Sequence, residues 1–468
     1  MKRMVVLFMV CVFLTFAIVK ISTTVLANGP ERSRDKVTFS KDVAPIFFAN
    51  CVECHRPGEI APMSLLTYRD ARPWARSIKE KVLSGEMPPW SADPRYGHFA
   101  NDCRLSPKDI DTIVAWVDQG AERGNDAELP PPPVSAQGWR AGTPDLVLSM
   151  PAEIAVPPNG PDQYIYVRIP TTFTDDRWIQ TVEIHPANRR IVHHVNVYIE
   201  TPRLMSAARF MAQQQSPVVG EAKKHQGEDP PSVFEADQPE YFEVDGSVKR
   251  VKMDWPAYDD TCGASVFNGG EGVLLGEYGP GKDTDTFPEG TAKEIPAGSN
   301  LILNLHYSNS SGQAQKDRTE IGLTFSKTAV RKVATTRDAS NYFFKIMPGV
   351  ENYEVKSCYT FDRDVELISY LPHMHLRGKD MKYEVLYPDG HRETLLLVRY
   401  NFNWQRVYKL KTPLRIPKGT TILITAHFDN SPKNKYNPDP TKTVRFGQTT
   451  SDEMMAGLFD YVVDNPRP

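Results

Sequence analysis

Leu301-Ile302-Leu303-Asn304-Leu305-His306 alternates in a way only an extended chain can use. Leu301, Leu303 and Leu305 fall on one face of a strand, and Ile302, Asn304 and His306 on the other. The same period of two recurs where Tyr383, Val385 and Tyr387 lead into a Pro388-Asp389-Gly390 turn. It recurs again where Ile422, Ile424 and Ala426 alternate with Leu423, Thr425 and His427. Runs of this kind, punctuated by Pro, Gly, Asn and Asp, begin near residue 140 and continue to the end of the chain, which predicts antiparallel β-sandwiches. The span is too long for one sandwich core, so two all-β units are expected, over 140–328 and 329–468. Residues 203–290, rich in Gly, Pro, Asp and Glu, read as long surface loops inserted in the first and able to act as a lid.

Upstream the period changes. Ser106-Pro107-Lys108-Asp109 is a capping box with proline at the first helical position, and Ile110, Ile113, Val114 and Val117 then repeat at helical spacing up to Gly120. An earlier helix places Trp74, Ile78 and Val82 on one face and stops near Gly85. Residues 37–124 are therefore expected to form a small all-α domain. Pro130-Pro131-Pro132-Pro133 follows within a 125–139 linker, a semi-rigid spacer that keeps this domain at a bounded distance from the sandwiches.

Between the start of that domain and the Trp74 helix lies Cys51-Val52-Glu53-Cys54-His55, two thiols spaced for thioether attachment of a c-type haem, with His55 as proximal iron ligand. The sixth ligand is sought in Glu86-Met87-Pro88-Pro89-Trp90, where two prolines would hold the Met87 sulfur at low entropic cost; Met63 and His98 are rivals. A thioether ligand occupies the iron and suits electron transfer. Haem of this kind is attached outside the cytoplasm, and residues 1–27 supply an export signal: Lys2 and Arg3, an apolar run from Met4 to Val19, and Val25-Leu26-Ala27 before Asn28. A periplasmic or exported protein follows, with a membrane anchor if that segment stays uncleaved. Once Cys11 leaves with the signal and two thiols hold haem, Cys103, Cys262 and Cys358 remain. An oxidising compartment permits a Cys262–Cys358 disulfide and leaves Cys103 alone. A net charge of -3 gives no electrostatic reason to expect nucleic acid or an anionic membrane surface as partner.

The histidines carry the remaining chemistry. In His373-Met374-His375 the two imidazoles face one side of a strand and can reach one metal ion. His193 and His194, as neighbours, would face opposite ways on a regular strand, so a shared metal there requires a bulge. His306 could complete a three-imidazole site with that pair. Met454, in Ser451-Asp452-Glu453-Met454-Met455, adds a thioether soft enough for Cu(I). His427 could lie near the second site, whereas His185, His225, His391 and His98 read as surface or satisfied polar groups.

The order His-His, His-Tyr, His-x-His, Asp-Glu-Met resembles the copper type II, ascorbate-dependent monooxygenases, the family of peptidylglycine alpha-hydroxylating monooxygenase and dopamine beta-monooxygenase. Gly276-Glu277-Tyr278-Gly279-Pro280-Gly281 and Ile295-Pro296-Ala297-Gly298-Ser299, ahead of Leu305-His306-Tyr307, add to the likeness, which covers about 140–468. With the N-terminal cytochrome c domain, the chain looks like a haem-fused bacterial member. The resemblance implies two jelly-roll-like sandwiches facing each other across a solvent-filled cleft. It implies an electron-supplying copper on His193, His194 and His306 and an oxygen-activating copper on His373, His375 and Met454. It implies hydroxylation of a C–H bond of a small organic substrate by O2. Leu371, Ala456 and Leu458 stand where peptide-amidating members hold a peptide carboxylate with Arg, Asn and Tyr, so a less polar substrate is as well suited. The tethered haem would take electrons from a periplasmic carrier or a small reductant such as ascorbate. A non-catalytic haem and copper electron-transfer protein is the competing expectation.

Overall fold

The structure, a computed structural model, describes residues 36–59, 61–133, 138–158, 162–203, 240–242, 248–250, 273–279, 282, 284–309, 311–447 and 449–465. The export segment, most of the 203–290 insertion, Cys11 and Cys262 lie outside them.

The alternation around Leu301 becomes the strand Asn300–Tyr307, at the centre of a six-stranded sheet. Gln163–Pro170 and Val192–Glu200 flank it, both antiparallel, and Val273–Tyr278 follows on the far side of Val192–Glu200. Across the core lie Arg177–His185, Thr291–Ile295, Glu320–Phe325 and Leu146–Ser149. Leu301, Leu303 and Leu305, all fully buried, meet Ile179, Val182, Ile184, Ile321 and Leu323 there. Burial of each leucine contributes about 1.5–3 kcal/mol. The opposite face of Asn300–Tyr307 is also covered, and His306 on it is fully buried.

A second sandwich sets Lys332–Ser340, Ala456–Asp464, Val365–His373 and Tyr408–Ile416 against Tyr353–Thr360, Thr421–Phe428, Gly378–Leu386 and Arg392–Arg399. The Pro388-Asp389-Gly390 turn closes the hairpin before Arg392–Arg399, with Gly390 at φ 87, a conformation that favours glycine. The two sandwiches share one sheet: Thr291 and Ala292 pair in parallel with Lys332 and Val333, so the strands of both halves run on as nine. At this seam the buried Lys293 ammonium donates to the Leu274 and Leu275 carbonyls at 2.9 and 3.1 Å and to Thr336 Oγ1 at 2.8 Å.

The N-terminal helices Ala44–Asn50, Ala75–Leu83 and Pro107–Asp118 enclose a separate apolar cluster around Phe39, Phe47, Ile78, Val82, Ile113 and Trp116. The Ser106 hydroxyl caps the last helix by accepting from Asp109 N at 3.1 Å. Two expectations are corrected. Trp74 sits in the short turn Arg72–Trp74 ahead of its helix, so it is 43% exposed while Ile78 and Val82 are buried. Residues 90–103, expected within the helical unit, instead strap the second sandwich: Ala92 bridges Val398, Phe99 bridges Leu410, and Trp90 packs edge-on against Tyr408 at 4.9 Å. The aromatic pair explains the detour, since Trp90 and Phe99 find a sheet face with Tyr408 between them. Cys358 is disulfide-bonded, whereas Cys51, Cys54 and Cys103 are free thiols.

Candidate metal centre

Strict alternation along Val192–Glu200 would put His193 in the core with Val195, Val197 and Ile199. It does not, because the register slips there: His306 faces His194, but Tyr307 faces Val192. Val192 takes the core position and His193 is the extra residue of a bulge, so both histidines reach the outer face beside His306. The ring atoms converge. His193 Nδ1 and His306 Nδ1 each lie 3.3 Å from His194 Nδ1. Nitrogens about 2.0–2.1 Å from a tetrahedral metal are separated by about 3.3 Å, so the spacing fits one ion with three imidazole ligands.

The second nitrogen of His306 identifies the tautomer. Its Nε2 is 2.8 Å from Asp162 Oδ2, and a carboxylate accepts, so Nε2 carries the proton and Nδ1 presents its lone pair to the other two rings. Against the opposing effect of burial, hydrogen bonds from His306, Ser308 and Thr450 hold the Asp162 carboxyl down at about 2. Burial, with repulsion from His306, pushes His193 down to about 3 and His194 well below the usual imidazole range. Neutral imidazoles are the form that binds metal. Tyr164 stacks on His306 with ring centres 4.3 Å apart.

His373 ends its strand, His375 lies in the turn beyond, and Met374 between them is buried in the core, as the spacing predicts. The two rings stand 5.4 Å apart at 90°. His373 Nδ1 is 2.6 Å from Gln405 Oε1, and His375 Nδ1 is 3.3 Å from the Asp452 carbonyl. Both partners accept, so both Nδ1 atoms are protonated, which leaves the His373 Nε2 available to a metal; the His375 ring also meets the Thr449 backbone. Burial lowers the pKa of each ring. Glu453 fixes the corner: its carboxylate accepts from His375 N at 2.9 Å and from Arg377 N at 2.6 Å. Met454 follows directly, half-buried, two residues before Ala456 pairs with His373.

The two clusters touch through one loop. Phe402 stacks on His193 at 5.0 Å and stands edge-on to His375 at 6.2 Å, while Gln405, three residues on, holds His373. Tyr164, from the first sandwich, shares a hydrogen bond with Thr450, which donates to Asp162 at 3.1 Å. Where the resemblance implies solvent between the sites, an aromatic ring lies between His193 and His375. Asp162, Phe402 and Gln405 carry no pattern of their own in the sequence. Glu453 was visible only as part of Asp-Glu-Met.

His427 is elsewhere. On Thr421–Phe428 it lies in register with both Asp380 and Glu354, with Nδ1 2.6 Å from Asp380 Oδ1 and Nε2 3.6 Å from Glu354 Oε2. Its nitrogens face carboxylates instead of the His373–His375 pair.

Cys51 caps the helix Ala44–Asn50, and the chain turns so that Cys54 N and His55 N both donate to the Cys51 carbonyl, at 3.2 and 2.9 Å. The thiols are free, and burial pushes the Cys51 thiol up to about 12. His55 Nδ1 lies 3.2 Å from the Met63 carbonyl, which accepts, so Nε2 is left for a metal. This donor set fits covalent haem. Met87 is half-buried in the loop after Ala75–Leu83, whereas His98 lies in the strap, its carbonyl bonded to Lys411 N.

Fold and site together define a two-sandwich β-protein with a three-imidazole centre and a second imidazole pair against it. No family model matches the chain, and comparison with curated proteins gave no match. Among solved structures it is similar to the major capsid protein P2 of bacteriophage PM2, at 7% identity and TM-score 0.23 over 65% of this chain and 98% of that one. It is also similar to PNGF-II, at 9% identity and TM-score 0.27 over 68% of this chain and 65% of that one.

Proposed function

We propose that the chain is a copper-dependent monooxygenase that hydroxylates a C–H bond of a small organic substrate with O2, fed with electrons through a fused c-type haem, in the manner of the family it resembles. The observation that carries the reading is the bulge at His193, which brings three imidazole nitrogens to metal-ligand spacing with a second imidazole pair across Phe402. His193, His194 and His306 would hold one copper through Nδ1. His373 and His375, through Nε2, and Met454 would hold the other; Cys51, Cys54, His55 and Met87 would hold the haem. Copper at these centres supplies one-electron storage and the reduction of O2.

The chain's own groups prepare the site. Asp162, Gln405 and the Asp452 carbonyl accept hydrogen bonds from ring N–H groups of His306, His373 and His375 and so fix those three rings. Phe402, stacked on His193 and edge-on to His375, puts an apolar ring between the two clusters. Leu371 and Leu458, where peptide-amidating members carry carboxylate-binding residues, line a small cavity together with the charged Glu277, Lys282, Asp285, Lys293 and Asp460. The compartment is the periplasm or the exterior, and the donor is a periplasmic carrier or a small reductant such as ascorbate.

The test begins with the copper, zinc and iron content of exported protein reconstituted with copper. Two coppers per haem iron, with type II copper signals, are expected; zinc or a single copper would defeat the two-centre reading. Met454→Ile should abolish incorporation of oxygen from 18O2 into product while haem reduction continues. A haem and copper electron carrier would be indifferent to that substitution.

A further inference from the structure

The loop bearing Cys51, Cys54 and His55 is held by more than its proline linker. Glu59, four residues beyond His55, directs its carboxylate at three guanidinium groups. Oε1 accepts from Arg56 Nη2 at 3.0 Å and from Arg140 Nη2 at 3.1 Å, and Oε2 lies 3.7 Å from Arg189 Nη1. Arg140 Nη1 also reaches Glu53 Oε1, inside the Cys51–His55 motif, at 3.2 Å.

Both distant arginines are anchored to the first sandwich. Arg140 and Ala141 donate their backbone N–H groups to the two oxygens of buried Glu183, at 2.8 and 2.9 Å. Arg189 lies over the Tyr278 ring at 5.4 Å and sits four residues before His193, in the turn that Ile191 N closes on the Asn188 carbonyl. The side chains of Glu59, Arg140 and Arg189 are 17%, 22% and 14% exposed, so water screens these charges only in part. One carboxylate therefore joins the loop after His55 to the turn before His193.

We propose that Glu59 is a positioning residue: its ion pairs with Arg140 and Arg189 latch the haem-attachment loop onto the first sandwich beside His193 and so set the electron route into the three-imidazole centre. The inference rests on the haem and copper reading above. The step it would serve is the passage of one electron from a haem held by Cys51, Cys54 and His55 to a copper held by His193, His194 and His306, with the haem iron oxidised by one unit, the copper reduced by one, and no bond or proton changing place. A contact made of charges also makes the route sensitive to salt, which packed apolar surface would not.

The experiment uses the full-length protein loaded with haem and copper, with Glu59→Gln to remove the charge at constant shape and Glu59→Asp to retain it. Hydrogen exchange of residues 51–59, the rate of electron passage from photoreduced haem to copper, and the haem potential are measured for each. In Glu59→Gln, exchange should rise and electron passage fall by about tenfold or more, a tenfold change corresponding to about 1.4 kcal/mol in docking. Metal content and haem potential should stay at wild-type values, and Glu59→Asp should recover part of the loss. Added salt should slow electron passage in wild type and do so less in Glu59→Gln, where only the Arg140–Glu53 pair still joins the loop to the sandwich. Unchanged exchange and unchanged electron passage in Glu59→Gln would overturn the latch. Wild-type protein that takes up no haem would instead defeat the haem reading, and the exchange measurement would still decide whether Glu59 latches the loop.

Discussion

Asp162 shows how much of this site is decided by a single atom. Its Oδ2 accepts the Nε2–H of His306 and thereby aims Nδ1 at His193 and His194. Asp162→Asn leaves the shape but offers an amide that can present N–H toward the ring, which favours the wrong tautomer. Copper affinity at the three-imidazole centre should fall about 10–100-fold, read by competition with a chelator of known affinity. Glu453 acts on the second pair through backbone instead. With its carboxylate accepting from His375 N and Arg377 N, Glu453→Ala removes two hydrogen bonds from buried N–H groups. We expect loss of the His373–His375 copper with the other centre retained, and a stability loss of about 2–3 kcal/mol in chemical denaturation. The clustering of His193, His194 and His306 was legible because ligand chemistry restricts residue type. Asp162, Phe402 and Gln405 were not, because an acid, a ring and an amide in loops satisfy no periodicity and acquire meaning only when chain segments far apart in sequence meet.

At the scale of elements, the alternation in Gly378–Leu386 and Thr421–Phe428 was readable, since one buried face per strand leaves a period of two in the sequence; Asn300–Tyr307 is buried on both faces, and its alternation shows only in leucines set against Ile302, Asn304 and His306. The bulge at His193 was readable only as a condition: two adjacent ligands need one. The parallel seam between Thr291–Ile295 and Lys332–Ser340 left no signal, as pairing partners are not encoded in either strand's own pattern. Lys293 marks that seam physically. Its ammonium satisfies the carbonyls of Leu274 and Leu275 in one sandwich and Thr336 in the other, with Asp460 Oδ1 at 3.8 Å. Lys293→Met fills the same volume but leaves Asp460 without its nearby cation and two carbonyls without a donor. It should cost about 3–5 kcal/mol, measured by denaturant unfolding, and should separate the unfolding of the two sandwiches.

For the whole molecule, the helical unit and the sandwiches are not beads on a proline string. The linker reading captured the composition of 125–139 but not the strap, because Trp90 and Phe99 look like ordinary core residues of whichever unit precedes or follows them. In the fold they complete the second sandwich: Trp90 is 8% exposed and meets both Tyr408 and Phe99 edge-on. The strap returns to the helical unit by residue 107, where Pro107–Asp118 begins, so the chain crosses from helices to sheet and back before the linker is reached. Removing the helical unit at the linker therefore removes part of the second sandwich's core. A chain beginning at residue 140 should expose the Tyr408 face and unfold at a lower temperature than full-length protein. Trp90→Ala in the full chain should reproduce much of that loss, about 3–5 kcal/mol, without disturbing Cys51–His55. Differential scanning calorimetry of the two variants decides the point: equal melting of the second sandwich in the shortened and full chains would mean that the strap contributes nothing to it.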